Sequence, residues 1–377
     1  MTRLILLPLL LFSLVATAQK SLSRTETEAL ALRLADEWKA ERRNHYETAM
    51  ATGCITYDTL RMRFFAHVFG LKAPEGGRSL WISLHGGGTA PAAVNDQQWQ
   101  NQGRLYAPRE GVYVAPRAAY DDWDMHCKSL TDTIYRQLIE MAVACFDVNP
   151  DRVYLLGYSA GGDGVWRLAP RLADRWAAAS MMAGHPGSVS QLNLRNLPYM
   201  IWCGALDAAY DRNTLNARRI LELDSLRTAD PDGYVHEGHI IEGKGHWMDR
   251  MDTAAIAWMA KHTRNPYPHR IVWRQEEVTQ PSFYWLSAPA DERQEGKTVR
   301  VEISGQTVNI SQCDYSRLTI WLNDSLLDLD RKVEVRFNGK RLFRGRLKRT
   351  EANMRESLSQ RGDTRYIFPA KLTVSVR

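Results

Sequence analysis

The sequence lacks the long runs of a single charge that typify nucleic-acid-binding surfaces. Its 377 residues include 49 basic and 43 acidic side chains, a formal net charge of +6, and no cluster of five basic residues occurs. Low-complexity tracts and internal repeats are absent as well. We therefore expect no nucleic-acid partner and a globular chain whose length suits two domains.

Cysteine is scarce, with five residues in the whole chain, and their spacing fits no zinc-binding pattern. An odd number leaves at least one thiol unpaired; one disulfide is compatible with the count, and the sequence does not say which. A chain of this length can bury a large core without a disulfide framework. We expect no metal and no other cofactor, and we expect Cys203, in the apolar run YMIWCG, to be buried.

Long apolar runs are absent after residue 18. Before it, Arg3 precedes an apolar stretch from Leu4 to Val15 and an A-x-A cleavage site at residues 16–18, which is typical of a secretory signal peptide. The stretch is shorter than the ~20 apolar residues of a membrane span. No cysteine follows it to carry a lipid. We expect a mature chain from Gln19 that is secreted or periplasmic and has no membrane span.

Strand-like and helix-like segments alternate between residues 56 and 264, preceded by a helical segment over residues 19–55. Strands separated by helices of ten or more residues predict an α/β fold, with a mostly parallel sheet covered by helices on both faces. Ser129 and Asp132 are expected to cap the helix SLTDTIYRQLIEMAVACF. The segment MDRMDTAAIAWMAKH is predicted to be the final helix of this domain.

Two prolines in TRNPYPHR mark a boundary, after which short alternating segments predict strands. The Asn338-Gly339 pair predicts a type I′ hairpin, and one helix is expected over residues 351–361. Residues 265–377 are therefore predicted to form a smaller β-rich domain. The segment SFYWLSA is predicted to be one of its strands.

Glycines crowd around one serine in VYLLGYSAGGDGVW. A P-loop needs Lys and then Ser or Thr after its last glycine, whereas Asp163 follows here, and the dinucleotide fingerprint G-x-G-x-x-G is also missing. The pattern that remains is G-x-S-x-G over residues 157–161. Glycines two positions on either side of Ser159 permit a strained strand-to-helix turn that exposes the hydroxyl. Ser159 is thus a candidate nucleophile, with a purely structural turn as the alternative.

A serine nucleophile needs a base and an orienting acid. Asp207 follows a predicted strand in MIWCGALDAAYDR. Asp211 is the competing acid, although it is better placed to cap the helix that starts near Arg212. The base candidate is His246, which lies on a glycine-rich loop after another strand in IIEGKGHWMD.

An oxyanion site is predicted from the loop after the strand WISLHGGG. Its bare backbone amides, with the amide of Ala160, can donate hydrogen bonds to a developing negative charge. His236 and His239 lie three apart on one strand and face opposite sides, which argues against a metal pair.

The candidates for lining the substrate pocket are Trp123, His185 and Trp247. For His185, a structural role is the alternative. For His126, a pocket role and a structural role are both open.

With these motifs in place, residues 56–264 resemble an α/β-hydrolase. The stretch GYSAGGDGVWRLAPRLADRWAAASMMAGHPG is similar to secreted esterases of the feruloyl-esterase, acetyl-xylan-esterase and polyhydroxybutyrate-depolymerase type. Prolyl-oligopeptidase-like catalytic domains share the pattern. The resemblance implies Ser159, Asp207 and His246 as a catalytic triad, and Gly87, Gly88 and Ala160 as oxyanion donors.

The expected function is hydrolysis of carboxylic esters through an acyl-enzyme, on a small-molecule or polysaccharide substrate. The first alternative is a peptidase of the prolyl-oligopeptidase type, but its propeller needs several blades of ~40–50 residues. Only 37 residues lie between residue 18 and residue 56. The second alternative is a carbohydrate-binding protein in which Phe283, Tyr284 or Trp285 stacks on sugars. The competing interpretation places these aromatics in the core and the domain interface. The oligomeric state is left open.

Overall fold

A computed structural model describes residues 21–376, and the predicted signal peptide, residues 1–18, lies outside them. No helix within the described range combines the length and the apolar character needed to cross a membrane. Its helices are α1 (Arg24–His45), α2 (Glu47–Thr52), α3 (Ala92–Leu105), α4 (Ser129–Cys145), α5 (Ala160–Arg171), α6 (Arg212–Ala229), α7 (Ala254–Met259) and α8 (Glu351–Arg361).

Eight strands build one large sheet in the first part of the chain. They are β1 (Cys54–Tyr57), β2 (Leu60–Phe69), β3 (Arg78–Leu84), β4 (Gly111–Pro116), β5 (Val148–Tyr158), β6 (Ala178–Met182), β7 (Tyr199–Gly204) and β8 (His236–Ile241). Their order is β1-β2-β4-β3-β5-β6-β7-β8. The strands from β3 onward pair in parallel, whereas β2 is antiparallel to both of its neighbours. The carboxyl ends of the parallel strands therefore meet at one edge.

Both faces of this sheet are covered by helices. Side chains alternate between the two faces along each strand, so neighbouring residues pack in different clusters. Leu80 and Ile82 of β3 belong to the core cluster that contains Leu138 of α4. Trp81, between them, faces the other way and lies in the cluster that contains Trp99 of α3. A mostly parallel sheet with helices on both faces confirms the predicted α/β-hydrolase architecture. Its first strand begins at Cys54, two residues before the predicted start of that domain.

Two local predictions in this part are wrong. Neither Ser129 nor Asp132 caps α4; Lys128 occupies the N-cap, and its side chain makes no capping hydrogen bond. Asp132 is instead buried, where its carboxylate accepts hydrogen bonds from Arg171 at 2.5 Å and Gln280 at 2.6 Å. The predicted last helix is shorter than expected, because a 3₁₀ turn at Met251–Thr253 precedes α7.

The C-terminal part consists of two further sheets, as the predicted β-rich domain requires. Their strands are β9 (Arg270–Arg274), β10 (Ser282–Phe283), β11 (Leu286–Ser287), β12 (Thr298–Ser304), β13 (Thr307–Cys313), β14 (Arg317–Leu322), β15 (Val333–Phe337), β16 (Lys340–Gly345) and β17 (Ala370–Ser375). The four-stranded sheet has the order β10-β11-β14-β17, and the five-stranded sheet has the order β16-β15-β13-β12-β9. The hairpin at Asn338 and Gly339 has φ values of 47° and 80°, which a type I′ turn requires.

The segment SFYWLSA is not one strand, because Tyr284 has a φ of 50° and turns the chain between β10 and β11. Phe283, Tyr284 and Trp285 are all buried. The Tyr284 hydroxyl donates to the carbonyl of Ala173 in the first part of the chain at 3.2 Å. These three aromatics are therefore part of the core and the domain interface, and the interpretation as a sugar-stacking platform is wrong.

An arginine at the predicted domain boundary joins the two parts. The buried Arg264 guanidinium donates to Asp151 Oδ1 of the first part at 2.8 Å and to Asp363 Oδ2 of the second at 2.7 Å. Asp363 also accepts from Arg175 at 3.2 Å. Buried charges of opposite sign thus lie across the interface and fix how the parts meet. Cys203 is buried, as expected, and its thiol is free.

Candidate active site

Ser159 is the single residue between the end of β5 and the start of α5. Its φ of 58° and ψ of −124° lie outside the helical and strand regions, so the backbone is strained at this residue. A Cβ on Gly157 would approach the carbonyl oxygen of Gly161 to 2.4 Å, and a Cβ on Gly161 would approach that of Leu84 to 2.1 Å. Both glycines of the G-x-S-x-G pattern are therefore required by the close crossing of α5 over the sheet.

The structure brings the predicted nucleophile, base and acid into one hydrogen-bonded line. Ser159 Oγ lies 2.9 Å from His246 Nε2, and His246 Nδ1 lies 2.8 Å from Asp207 Oδ2. The three residues follow β5, β8 and β7, at the edge where the parallel strands end. The Asp207 side chain is 1% exposed, whereas the His246 ring is 43% exposed and accessible to a substrate.

Asp211 does not reach the histidine. It is exposed, has a φ of 55° and stands at the N-cap of α6, but its side chain makes no capping hydrogen bond there. Its expected role as a cap is therefore wrong. Asp207, by contrast, is buried, and its backbone carbonyl accepts a hydrogen bond from the amide of Asn213 at 3.0 Å.

Tyr158 fixes the loop that carries the base. Its hydroxyl donates to the carbonyl of His246 at 2.6 Å and accepts from the amide of Met248 at 3.2 Å. Burial raises the pKa of Tyr158, so that the hydroxyl stays protonated and can donate. The variable position of the G-x-S-x-G pattern gave no sequence signal for this contact, which depends on how β5 and the loop after β8 meet.

The predicted oxyanion donors fall into two groups. The N–H of Ala160 belongs to the first turn of α5, where amides have no acceptor within the helix. Gly87 is exposed to the site, with a φ of 121°, and its N–H has no acceptor among residues 21–376. The N–H of Gly88 instead donates to Asn95 Oδ1 at 3.1 Å. Gly88 is therefore withdrawn from the predicted donors, because its amide is already occupied.

Asn95 locks this loop and was missed by the sequence reasoning. It is fully buried on α3, a helix that was not predicted, and its Nδ2 donates to the carbonyl of Gly88 at 3.0 Å and to Asp121 at 2.8 Å. A Cβ on Gly87 would lie 2.0 Å from Asn95 Oδ1. The Asn95 side chain thus fills the space beside Gly87 and holds the loop after β3 in one conformation.

Two buried histidines support the same loop from beneath. His85 Nε2 accepts from the amide of Ala118 at 3.0 Å, so Nδ1 carries the proton and donates to the carbonyl of Gly86 at 2.6 Å. Burial lowers the pKa of His85 to about 4, which keeps the ring neutral. His126 is fully buried between the His85 carbonyl and the Tyr135 hydroxyl, at 2.9 Å and 2.8 Å. Of its two open roles, His126 therefore has the structural one.

Two clefts open on either side of Ser159, which lines both together with Gly87. The first, about 460 Å³, we call the arginine cleft. It is lined by Gly88, Thr89, Trp123, Ala160, Asp163, Arg167, His185, Tyr210 and Arg212. The second, about 600 Å³, we call the amide cleft. It is lined by Gly86, Ala90, Val94, Gln98, Asn101, Gln102, Leu105, Tyr158, His246 and Trp247.

The three predicted pocket residues are thus divided between the clefts. Trp123 and His185 line the arginine cleft, and Trp247 lines the amide cleft. Both tryptophans are largely exposed. The backbone amide of His185 donates to Asp163 Oδ1 at 2.6 Å, so His185 also has a structural contact.

No protein-family model matches this sequence, and no curated protein matches it. Among solved structures, the chain is similar to a thermostable esterase at 17% identity and a TM-score of 0.42, covering 56% of this chain and 62% of that one. It is also similar to a ferulic acid esterase at 16% identity and a TM-score of 0.38, covering 55% and 95%. An acetyl xylan esterase from Aspergillus awamori follows at 11% and 0.36, covering 55% and 97%.

Proposed function

We propose that this chain, which has the α/β-hydrolase fold, is a serine hydrolase that cleaves carboxylic esters through an acyl-enzyme. The observation that carries the proposal is the hydrogen-bonded line from Ser159 through His246 to the buried Asp207. A nucleophile, a base and an orienting acid in this order are the groups that acyl transfer needs. The free amides of Gly87 and Ala160 beside the serine supply the electrostatic part.

In the proposed reaction His246 Nε2 takes the hydroxyl proton while Ser159 Oγ bonds to the ester carbonyl carbon. The carbonyl electron pair moves onto its oxygen, which the amides of Gly87 and Ala160 stabilise. The bond to the alcohol oxygen then breaks, and that oxygen takes the proton from His246. Water, deprotonated by His246, attacks the acyl carbon, and Ser159 regains its proton as the acid leaves. Asp207 holds the Nδ1 proton throughout.

Replacement of the nucleophile tests this proposal directly. We expect Ser159→Ala to lower kcat for 4-nitrophenyl butyrate by at least ~10³-fold, because the acyl-enzyme can no longer form. The matched control is Ser311→Ala, which removes an exposed hydroxyl on β13 in the C-terminal part and should leave kcat unchanged. A Ser159→Ala protein as active as the wild type would contradict the proposal.

The amide cleft favours an alcohol that is uncharged and hydroxylated. The amide side chains of Gln98 and Asn101 can hydrogen-bond to hydroxyl groups, and the exposed indole of Trp247 offers a flat stacking surface. This supports an ester on a sugar as the substrate. The signal-peptide-like composition of residues 1–18 supports a protein that acts outside the cytoplasm after their removal. We expect 4-nitrophenyl esters to be cleaved and matched aminoacyl anilides to be left intact, and efficient cleavage of an anilide would favour a peptidase.

A further inference from the structure

The arginine cleft holds two guanidinium groups that the mechanism does not use. Arg167 on α5 and Arg212 at the start of α6 both line it, with side chains only 14% and 12% exposed. Within residues 21–376, no Arg or Lys lines the amide cleft, and His246 is the one basic side chain in its lining. Both of the arginines that line these clefts therefore belong to the arginine cleft.

Both guanidinium groups have hydrogen-bond donors to spare. Arg167 makes no hydrogen bond to any residue in the range 21–376, and its nearest carboxylate oxygen, of Glu277, lies 3.9 Å from Nε. Arg212 donates from Nη1 to the carbonyl of Ala209 at 3.4 Å and lies 3.6 Å from Asp207 Oδ1. Its buried Nε has no acceptor. Charge-assisted hydrogen bonds from the remaining N–H groups of Arg167 and Arg212 would stabilise an anionic acceptor that enters the cleft.

Aromatic rings hold the two groups in place. The Arg167 guanidinium lies 5.0 Å from the centre of the Trp123 ring, and that of Arg212 lies 5.0 Å from the centre of the Tyr210 ring. Stacking on a ring leaves the edge of a guanidinium free to donate. The fork of N–H groups on that edge matches the two oxygens of a carboxylate.

Asp163 is the one carboxylate among the residues that line the arginine cleft. Asp163 is largely buried, and its Oδ1 accepts the amide proton of His185 at 2.6 Å. Burial raises the pKa of Asp163. Asp163 is therefore engaged with the backbone, and the carboxylates nearest to Arg167 and Arg212, those of Glu277 and Asp207, lie beyond hydrogen-bond distance at 3.9 Å and 3.6 Å.

The position of the base decides which part of an ester enters each cleft. In the proposed reaction His246 gives its proton to the leaving alcohol oxygen, so the alcohol lies on the side of His246. His246 lines the amide cleft and not the arginine cleft. The alcohol therefore occupies the amide cleft, and the acyl part extends from Ser159 into the arginine cleft.

We infer that the substrates are esters whose acid part carries a second, free carboxylate, which Arg167 and Arg212 bind. The substrate class is thus the half-ester of a dicarboxylic acid with an uncharged alcohol. This inference rests on the proposed function, since it uses the direction of proton transfer. It adds a specificity site to the acyl side of the reaction.

The test compares two esters that share a leaving group and a chain length, mono-4-nitrophenyl adipate and 4-nitrophenyl hexanoate. We expect wild-type kcat/KM to be about tenfold higher or more for the adipate, as a charge-assisted contact predicts. In Arg167→Gln this ratio should fall toward one, and Arg167→Lys should retain part of it, because lysine keeps the charge but loses the fork.

A control variant separates the cleft from the overall charge. Arg109→Gln removes one exposed positive charge beside the start of β4, at the edge of the sheet opposite the carboxyl ends. The adipate preference should be unchanged in this variant. A ratio near one in the wild type, or an equal fall in both variants, would overturn the inference. So would a preference for 4-carboxyphenyl hexanoate over its uncharged analogue, which would place the carboxylate on the alcohol.

A binding measurement keeps this inference distinct from the proposed function. The Ser159→Ala protein should bind monoethyl adipate more tightly than ethyl hexanoate in calorimetry, and Arg167→Gln in the same background should abolish the difference. Equal binding of the two esters would overturn the arginine cleft as a carboxylate site, even if both esters are hydrolysed. Selective binding of the adipate without hydrolysis of either ester by the wild type would instead remove the proposed function and leave the binding site standing.

Discussion

Several residues around Ser159 matter because they have no side chain. Gly157 and Gly161 leave room for the crossing of helix and sheet, and Gly87 leaves room for the side chain of Asn95. Asn95 in turn takes up the amide of Gly88, so that Gly87 and Ala160 remain as free donors. The site thus depends on where side chains are missing as much as on the groups that react.

Replacement of Gly87 tests this argument at the residue scale. Gly87→Ala introduces a Cβ 2.0 Å from Asn95 Oδ1, at a φ of 121° that side chains rarely adopt. The loop must shift, and we expect kcat for 4-nitrophenyl butyrate to fall ~10²–10³-fold through loss of an oxyanion donor. Steady-state kinetics would measure it.

The control for this prediction is Gly305→Ala. Gly305 also has a positive φ, of 57°, but a Cβ there meets no atom within 4 Å. It lies between β12 and β13, in the C-terminal part. Activity should therefore be retained in Gly305→Ala, and retained activity in Gly87→Ala would show that the Gly87 amide is dispensable.

At the scale of elements, the site is assembled from loops that follow β3, β5, β7 and β8. Each loop is attached to a neighbour by a buried polar contact. His85 attaches the end of β3 to the segment after β4, through the amide of Ala118, and Tyr158 attaches the end of β5 to the loop that carries His246. A rigid sheet with such ties explains how groups far apart in the sequence are held within hydrogen-bonding distance.

The His85 contact predicts a dependence of stability on pH. The folded protein lowers the pKa of His85 from 6.5 to about 4, so the neutral ring is favoured by folding. Its stabilising contribution is complete above pH 6.5 and is lost as pH falls from there toward 4, where the unfolded chain binds the proton more readily. The shift corresponds to about 3 kcal/mol. Buried His126, whose pKa is also lowered, acts in the same direction.

Urea unfolding at a series of pH values checks this expectation. The free energy of unfolding should decrease between pH 6.5 and 4, and His85→Gln should show a smaller decrease than the wild type. His269→Gln, which replaces an exposed histidine, should keep the wild-type decrease. An identical decrease in all three proteins would mean that His85 is not the group responsible.

At the scale of the whole molecule, the two parts share one continuous hydrophobic cluster and a buried charge network. Burial alone would raise the pKa of Asp363, but the guanidinium groups of Arg264 and Arg175 outweigh it and lower that pKa. The C-terminal part is therefore anchored to the first part of the chain through Asp151, Arg175 and Arg264. We expect both parts to unfold in a single transition.

The network predicts a large loss of stability when one member is removed. Asp363→Ala leaves the positive charges of Arg264 and Arg175 buried with too few partners, which should cost ~3–5 kcal/mol of the free energy of unfolding in urea. The matched control is Asp291→Ala, which breaks an exposed ion pair with Arg317 and should have no measurable effect. Equal effects of the two substitutions would contradict the role of this interface.

Much of the architecture could be predicted because it depends on local patterns. Alternation and helical spacing indicated the strands of both parts, and Asn338-Gly339 indicated its hairpin. Helix α3 escaped prediction, although it carries Asn95, because its polar and weakly periodic sequence gives little signal. The segment SFYWLSA was misassigned because a turn at Tyr284 is not visible in a run of aromatic residues.

The sequence by itself determined the strand-to-helix turn at Ser159, because a strand, a serine between two glycines and a helix leave few other conformations for this residue. It also determined which residue types could serve as acid, base and oxyanion donor. Only the tertiary structure decided between Asp207 and Asp211. It also paired the amide of Gly88 with Asn95, and it divided the surroundings of Ser159 into one cleft lined by two arginines and one cleft lined by none. Those outcomes depend on distances between segments remote in sequence, and such distances are set by packing of the whole sheet rather than by any local pattern.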